Sequence, residues 1–187
     1  MRISWLEAID FCKWMLEKLG QPCSLPTEAQ WEWACRAGTD SDLYYGGKDT
    51  DFAPFANLAD VSIKLLAVTG INPQPIENPS KYEDFLPKDD RFNDGCKIMT
   101  KVGAYAPSAW GLYDMHGNAS EWTLSSYRPY PYNDADGRND LTGAEKKVVR
   151  GGSWFDRPKR AKSSFRLAYQ PYQPVYNVGV RVVIAAE

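Results

Sequence analysis

Residues 110–123 read WGLYDMHGNASEWT. Gly111, Gly117 and Asn118 are residues that turn a chain, and no helical or alternating apolar period runs through the stretch. The same texture extends from Thr39 onward. Short apolar runs alternate with "YYGG", "INPQP", "NPS", "FNDG" and "YPYNDADG". This predicts a loop-rich region with few, short strands. The best strand candidates are Lys147–Arg150 and Val178–Ile184. Long loops in a compact domain commonly carry function or bind ions.

Two helices precede this region. Ser4-Trp5-Leu6-Glu7 is a capping box, and Trp5, Ala8, Ile9, Cys12, Met15, Leu16 and Leu19 follow at helical spacing. Gly20 ends that helix. Thr27 and Gln30 form a second box, and Glu28 suits the positive end of the helix dipole. Trp31, Ala34 and Cys35 give the second helix an apolar face, and Gly38 stops it. No repeat or linker interrupts the 187 residues, so residues 1–187 read as one domain.

Composition narrows the function. A formal charge of −2 provides no basic field for a nucleic-acid backbone. No apolar run approaches the roughly twenty residues of a membrane span. Met1–Gly20 carries charges throughout and reads as no signal peptide, which favours the cytoplasm. The four cysteines, at 12, 23, 35 and 96, form no C-x-x-C pair and read as mostly reduced. A single histidine, His116, argues against a His-rich zinc or iron site. Aromatics make up 13% of the chain, enough to pack an irregular core or line a binding surface.

Five blocks occur in order: ISWLEAIDFCKWM, SLPTEAQWEWACRAGT, WGLYDMHGNASEWT, VVRGGSW and NVGVRVV. Together they resemble the formylglycine-generating enzyme family, also called the sulfatase-modifying-factor domain, from about Ile3 to Val183. The resemblance implies an α+β fold, loop-rich with little regular structure, of C-type-lectin-like type. Family members also carry a strand-rich portion before the first block, which this chain lacks. Sheet edges left unpaired would then favour self-association or a partner chain.

The family's enzymes oxidise a target cysteine to formylglycine with oxygen and copper, held by two cysteines shortly after G-G-S. Soft thiolates select Cu(I). Aligned on Gly151-Gly152-Ser153, those positions fall on Asp156 and Ala161, and no cysteine follows Cys96. The resemblance therefore implies no catalytic residues and no copper. Ser153, Trp154, Phe155, Asp156, Arg157 and Arg160, with Lys159, remain as a candidate ligand-binding segment for a peptide, protein or glycan. Plain packing is the competing reading: Trp154 as core, and Arg166 and Arg181 as buried ion-pair partners. The alternative functions are an oxidoreductase of the formylglycine-generating type acting on protein cysteine or another substrate, with Asp156 as general base or metal ligand, and a structural subunit of a larger assembly.

The resemblance also implies one or two calcium ions, which take hard oxygen ligands. The first set is Asn57 and Asp94 by side chain, with Leu58 and Cys96 by backbone carbonyl. The second is the backbone around His116, Gly117 and Ala119, with the Glu121 carboxylate. Asx turns closed by their own hydrogen bonds are the alternative. Asn118-Ala119-Ser120 matches a glycosylation sequon by chance. Residues 133–140, NDADGRND, fail as an EF-hand, because the first and twelfth positions are Tyr132 and Gly143.

Overall fold

A computed structural model describes residues 2–20, 22–63, 66–67, 74–75, 87–142 and 144–184. The turns expected at 71–73 and 78–80 lie outside the described residues. The chain divides into two compact units of interleaved segments. One holds Met1–Ala34, Ser120–Arg150 and Arg166–Glu187, and the other holds Cys35–Ala119 and Gly151–Phe165.

In the first unit, helix α1 spans Trp5–Leu19. Glu7 N donates to Ser4 Oγ at 3.2 Å, and Ser4 N donates to Glu7 Oε2 at 2.7 Å, so the box satisfies two otherwise orphaned donors. Trp5, Ala8, Ile9 and Cys12 are buried. The expected apolar face then runs out. Leu16 and Leu19 are exposed, and so are Leu6, Phe11 and Trp14 on the same helix. Helix α2 spans Glu28–Arg36, and its Thr27–Gln30 box forms with Gln30 N on Thr27 Oγ1 at 3.2 Å.

The main sheet joins β4 (Ser120–Ser126), β5 (Lys147–Arg150), β6 (Leu167–Tyr169) and β7 (Val178–Val180) in the order β6-β5-β4-β7. Antiparallel pairing links the first three, and β7 lies parallel to β4, with Glu121 opposite Gly179. Val178–Ile184, expected as one strand, forms two. Val183–Ile184 is β8 and pairs instead with β1 (Cys23–Ser24). Arg181 stands between β7 and β8 and turns its guanidinium onto Glu121.

The core of this unit packs Trp5, Ala8, Ile9 and Cys12 against Leu25, Trp122, Val149 and Val178. Each indole finds an acceptor: Trp5 Nε1 donates to Thr123 O and Trp122 Nε1 to Ile3 O, both at 2.9 Å. The buried Lys147 ammonium lies 4.3 Å from the Trp5 ring centre and donates to Ser126 Oγ and Asp140 O. Among the described residues no carboxylate forms an ion pair with it, and dipoles and a ring face hold the cation.

The second unit has little regular structure: a 3₁₀ turn at Val61–Ile63, a small antiparallel pair of β2 (Leu66–Ala67) and β3 (Gln74–Pro75), and the short helix α3 (Pro158–Ala161). Leu43, Phe52, Ala56, Leu58 and Ala161 form its core. Among the described residues, no helix is long and apolar enough to cross a membrane.

Candidate functional site

The segment that follows β5 is stitched to the 115–118 loop within the second unit. Gly117 N donates to Gly151 O at 2.9 Å, and Trp154 N donates to Asn118 O at 3.2 Å. A side chain on Gly152 would sit 2.9 Å from Ala161 Cα, so only glycine lets α3 close onto this turn. Arg157 is the extended residue before α3, and Pro158 supplies a preset φ at the helix start.

These contacts decide what the two expected copper positions do. Asp156 is buried, and its Oδ2 accepts from Ser153 Oγ at 2.6 Å. Its Oδ1 lies 3.4 Å from Arg160 Nη1, and its backbone carbonyl accepts from Ala59 N. Ala161 is fully buried in the unit's core. Both positions therefore carry structure. Of the six expected ligand-binding residues, Ser153, Trp154 and Asp156 are buried. Phe155 is half-buried, and Arg157 and Arg160 are exposed. The accessible part is the basic rim, with Lys159, and Trp154 is core.

Asn57, Leu58, Asp94 and Cys96 come together in the same unit. Asp94 Oδ2 accepts from Leu58 N at 2.9 Å, and its Oδ1 accepts from Cys96 N at 2.8 Å. Asn57 Nδ2 donates to Ile98 O at 2.6 Å, which leaves the buried Oδ1 without a hydrogen-bond partner among the described residues. Asp60, not anticipated from the sequence, joins this group. It is fully buried and accepts from Asp94 N and, at 2.7 Å, from Ser62 N. Burial, and then the charge of Asp60, push the Asp94 pKa up to about 7. A second carboxylate and an orphaned amide oxygen are oxygen donors of the kind a hard cation takes. The only sequence signal for Asp60 was the D-x-S turn in "LADVS".

His116 is fully buried. Tyr44 N donates to its Nε2 at 3.0 Å, so the ring proton sits on Nδ1 and is donated to Ala161 O at 2.7 Å. Burial pulls its pKa down to about 4, and the ring is neutral. Tyr44 stacks on it at 5.2 Å, and the Cys35 thiol lies 3.5 Å from Nε2. The imidazole is a strut between Tyr44 and α3. Gly117 has φ +84°, and Asn118 N donates to Asn57 O, which ties this loop to the Asn57 group. Ala119 is half-buried in the same unit. Glu121 lies in β4 of the first unit, and both its oxygens are engaged. Trp31 Nε1 and Arg181 Nε donate to Oε2, and Arg181 Nη2 donates to Oε1, all within 2.9 Å. Among the described residues, no three His, Cys, Asp or Glu side chains converge as a metal cluster.

Residues 1–186 match the description of a sulfatase-modifying factor enzyme 1-like domain. The chain belongs to this family. An inactive C-alpha-formylglycine-generating enzyme 2 from Mus musculus is 28% identical over 192 residues, covering all of this chain and 49% of that protein. A formylglycine-generating enzyme from Bos taurus is 28% identical over 187 residues, covering 97% of this chain and 42% of that protein. The chain spans about half the length of the curated relatives it matches. The structure of PvdO from Pseudomonas aeruginosa superimposes with a TM-score of 0.73 at 23% identity, over all of this chain and 61% of that one. The α+β, loop-rich fold is therefore that of the sulfatase-modifying-factor family. Within it, Asp156 lies in the bend before α3 and Ala161 is the last residue of α3.

Proposed function

We propose that this sulfatase-modifying-factor domain is a non-catalytic binding module for a peptide, protein or glycan. One observation carries the reading. The two positions expected to hold copper as thiolates are Asp156 and Ala161, the first engaged with Ser153 and Arg160, the second sealed in a core. Neither presents a soft ligand for Cu(I). The inactive enzyme name carried by the mouse relative agrees with it. The test is mass spectrometry of a cysteine-containing sulfatase-motif peptide after incubation with the protein, Cu(I) and oxygen. The expected result is unmodified cysteine. A formylglycine product, lost when Asp156 is replaced by Asn, would overturn the reading.

Calcium is proposed as the resident ion of the Asn57 group, held by Asn57 and Asp94 side chains, with Asp60 beside them and the Leu58 and Cys96 carbonyls completing the set. Its role is to neutralise the paired carboxylates and brace the loops. Calcium should raise the melting temperature, by mass action on the folded state, and chelator should remove the rise. The pH dependence has a defined sign. Without the ion, the folded Asp94 pKa of about 7 exceeds the ordinary carboxyl value of 3.8. Its contribution to stability is full below about pH 4 and is lost as pH rises through about 7. Calcium binds the ionised form and should offset that loss. A calcium response that survives Asp94→Asn would place the ion elsewhere.

A further inference from the structure

The exposed rim next to Asp156 is one wall of a cleft of about 290 Å³, lined by Lys48, Asp49, Asp89, Arg91, Arg157 and Lys159, with the buried Pro158. Backbone hydrogen bonds hold the walls in register. Ala59 N donates to Asp156 O at 3.0 Å, and Asp89 N donates to Ala59 O at 2.8 Å. The segment at 156–159 and the segment at 89–91 are thus tied to one residue.

The charges divide into two sets. Arg91 is fixed by a fork on Asp89, Nε on Oδ1 at 2.8 Å and Nη2 on Oδ2 at 2.7 Å. Its Nη1 donates to Asp49 Oδ1 at 3.0 Å. Lys48 also pairs with Asp49. Both carboxylates of the cleft are therefore spent on Arg91 and Lys48. Among the described residues, no ion-pair partner meets Arg157 or Lys159. Four cations against two anions leave two uncompensated positive charges, both on the wall beside Asp156.

We propose that this cleft binds a small molecule bearing a phosphate or sulfate monoester, with Arg157 and Lys159 on its oxygens. A guanidinium presents paired N–H groups that match two oxygens of a tetrahedral anion, and an ammonium supplies a point charge beside it. The volume lies at the small end of the ligand-pocket range, roughly 300–1,000 Å³, which suits one compact ester. Arg91, locked by its two aspartates, shapes the opposite wall. The cleft is a small-ligand site in addition to the peptide, protein or glycan surface of the binding-module reading, and it rests on that reading for its biological use.

Isothermal titration calorimetry near neutral pH and at low salt tests it, with inorganic phosphate and phosphoserine as probes. Low salt matters because the Debye length is only about 10 Å at 0.1 M. Wild type should bind at least one probe. Phosphoserine should bind more tightly than inorganic phosphate, and tighter binding of inorganic phosphate would overturn the ester assignment. The R157A/K159A variant, changed only at exposed positions, should melt like wild type and lose at least about tenfold in affinity. Lys101→Ala, a solvent-facing charge outside the cleft, should change nothing. Absence of heat with both probes up to about 10 mM overturns the site, as does binding that survives the double substitution. Formylglycine formation would overturn the module reading and leave these titrations intact, so the two ideas fail separately.

Discussion

Gly117→Ala should destabilise the fold by about 2–5 kcal/mol, read from urea unfolding. The added methyl would sit 2.2 Å from Asn57 O, 2.9 Å from Asn57 C and 3.0 Å from Leu58 Cδ2. Two of those three atoms are backbone, so no rotamer change relieves the clash. The same loop donates Gly117 N to Gly151 O and Asn118 N to Asn57 O, and moving Asn57 would break the second. Overpacking alone costs about 1–3 kcal/mol, and the left-handed backbone at φ +84° adds roughly 1–2 kcal/mol for any L side chain. Gly20→Ala is the matched control. Its φ is +69°, but an added methyl would meet nothing within 4 Å. Only the backbone cost, about 1–2 kcal/mol, should appear there. Equal losses for the two variants would show that the Asn57 contact is not what holds the loop.

Glu28→Ala should cost about 3–5 kcal/mol, because it strips the counter-charge from buried cations. Glu28 is 1% exposed, and its Oε1 lies 2.5 Å from Arg166 Nε, with Arg166 Nη2 on Oε2 at 2.8 Å. Arg150, also buried, reaches Glu28 at 3.8 Å and pairs with Glu32. Arg166 is further held between the rings of Tyr127 and Tyr130, at 4.3 and 4.6 Å. Its guanidinium therefore cannot swing to water without losing both ring contacts. Adding Arg166→Met to the Glu28 variant should restore much of the loss, since removing both partners of a buried pair is often nearly neutral. A loss under about 1 kcal/mol from Glu28→Ala would mean that water reaches the pair.

The helices were legible because their signals are local. Ser4, Glu7, Thr27 and Gln30 are boxes that operate within one turn, and both form as written. Strand β4 escaped notice although it is central. Its sequence, SEWTLSS, alternates apolar residues only at Trp122 and Leu124, while polar residues fill the rest, and six of its seven residues are buried. Ser125 takes a hydrogen bond from Glu28 N, Thr123 donates to Val148 O, and Glu121 serves Arg181. A strand satisfied by polar partners from distant segments carries no period of its own. Arg166 and Arg181 were foreseen as ion-pair residues, yet their partners, Glu28 and Glu121, lie 138 and 60 positions away and could not be. At the candidate site, Asn57, Asp94 and Gly117 were named from the motif. Asp60 and the wall facing Arg157 and Lys159, made by Asp49, Asp89 and Arg91, were not, because each depends on which loops the fold sets side by side.

The interleaving of the two units bears on how the chain is made. Trp5 gives its indole hydrogen to Thr123, 118 residues later in the chain. At about 5–20 residues per second, a ribosome takes roughly 6–24 s to supply that partner. Throughout that interval α1 can cap itself but has nowhere to put Trp5, Ala8 and Ile9, whose companions Trp122, Val149 and Val178 have yet to emerge. Newly made α1 is therefore a waiting amphipathic helix. Until Trp122, Val149 and Val178 are made, its apolar face stays open to association with any other exposed apolar surface.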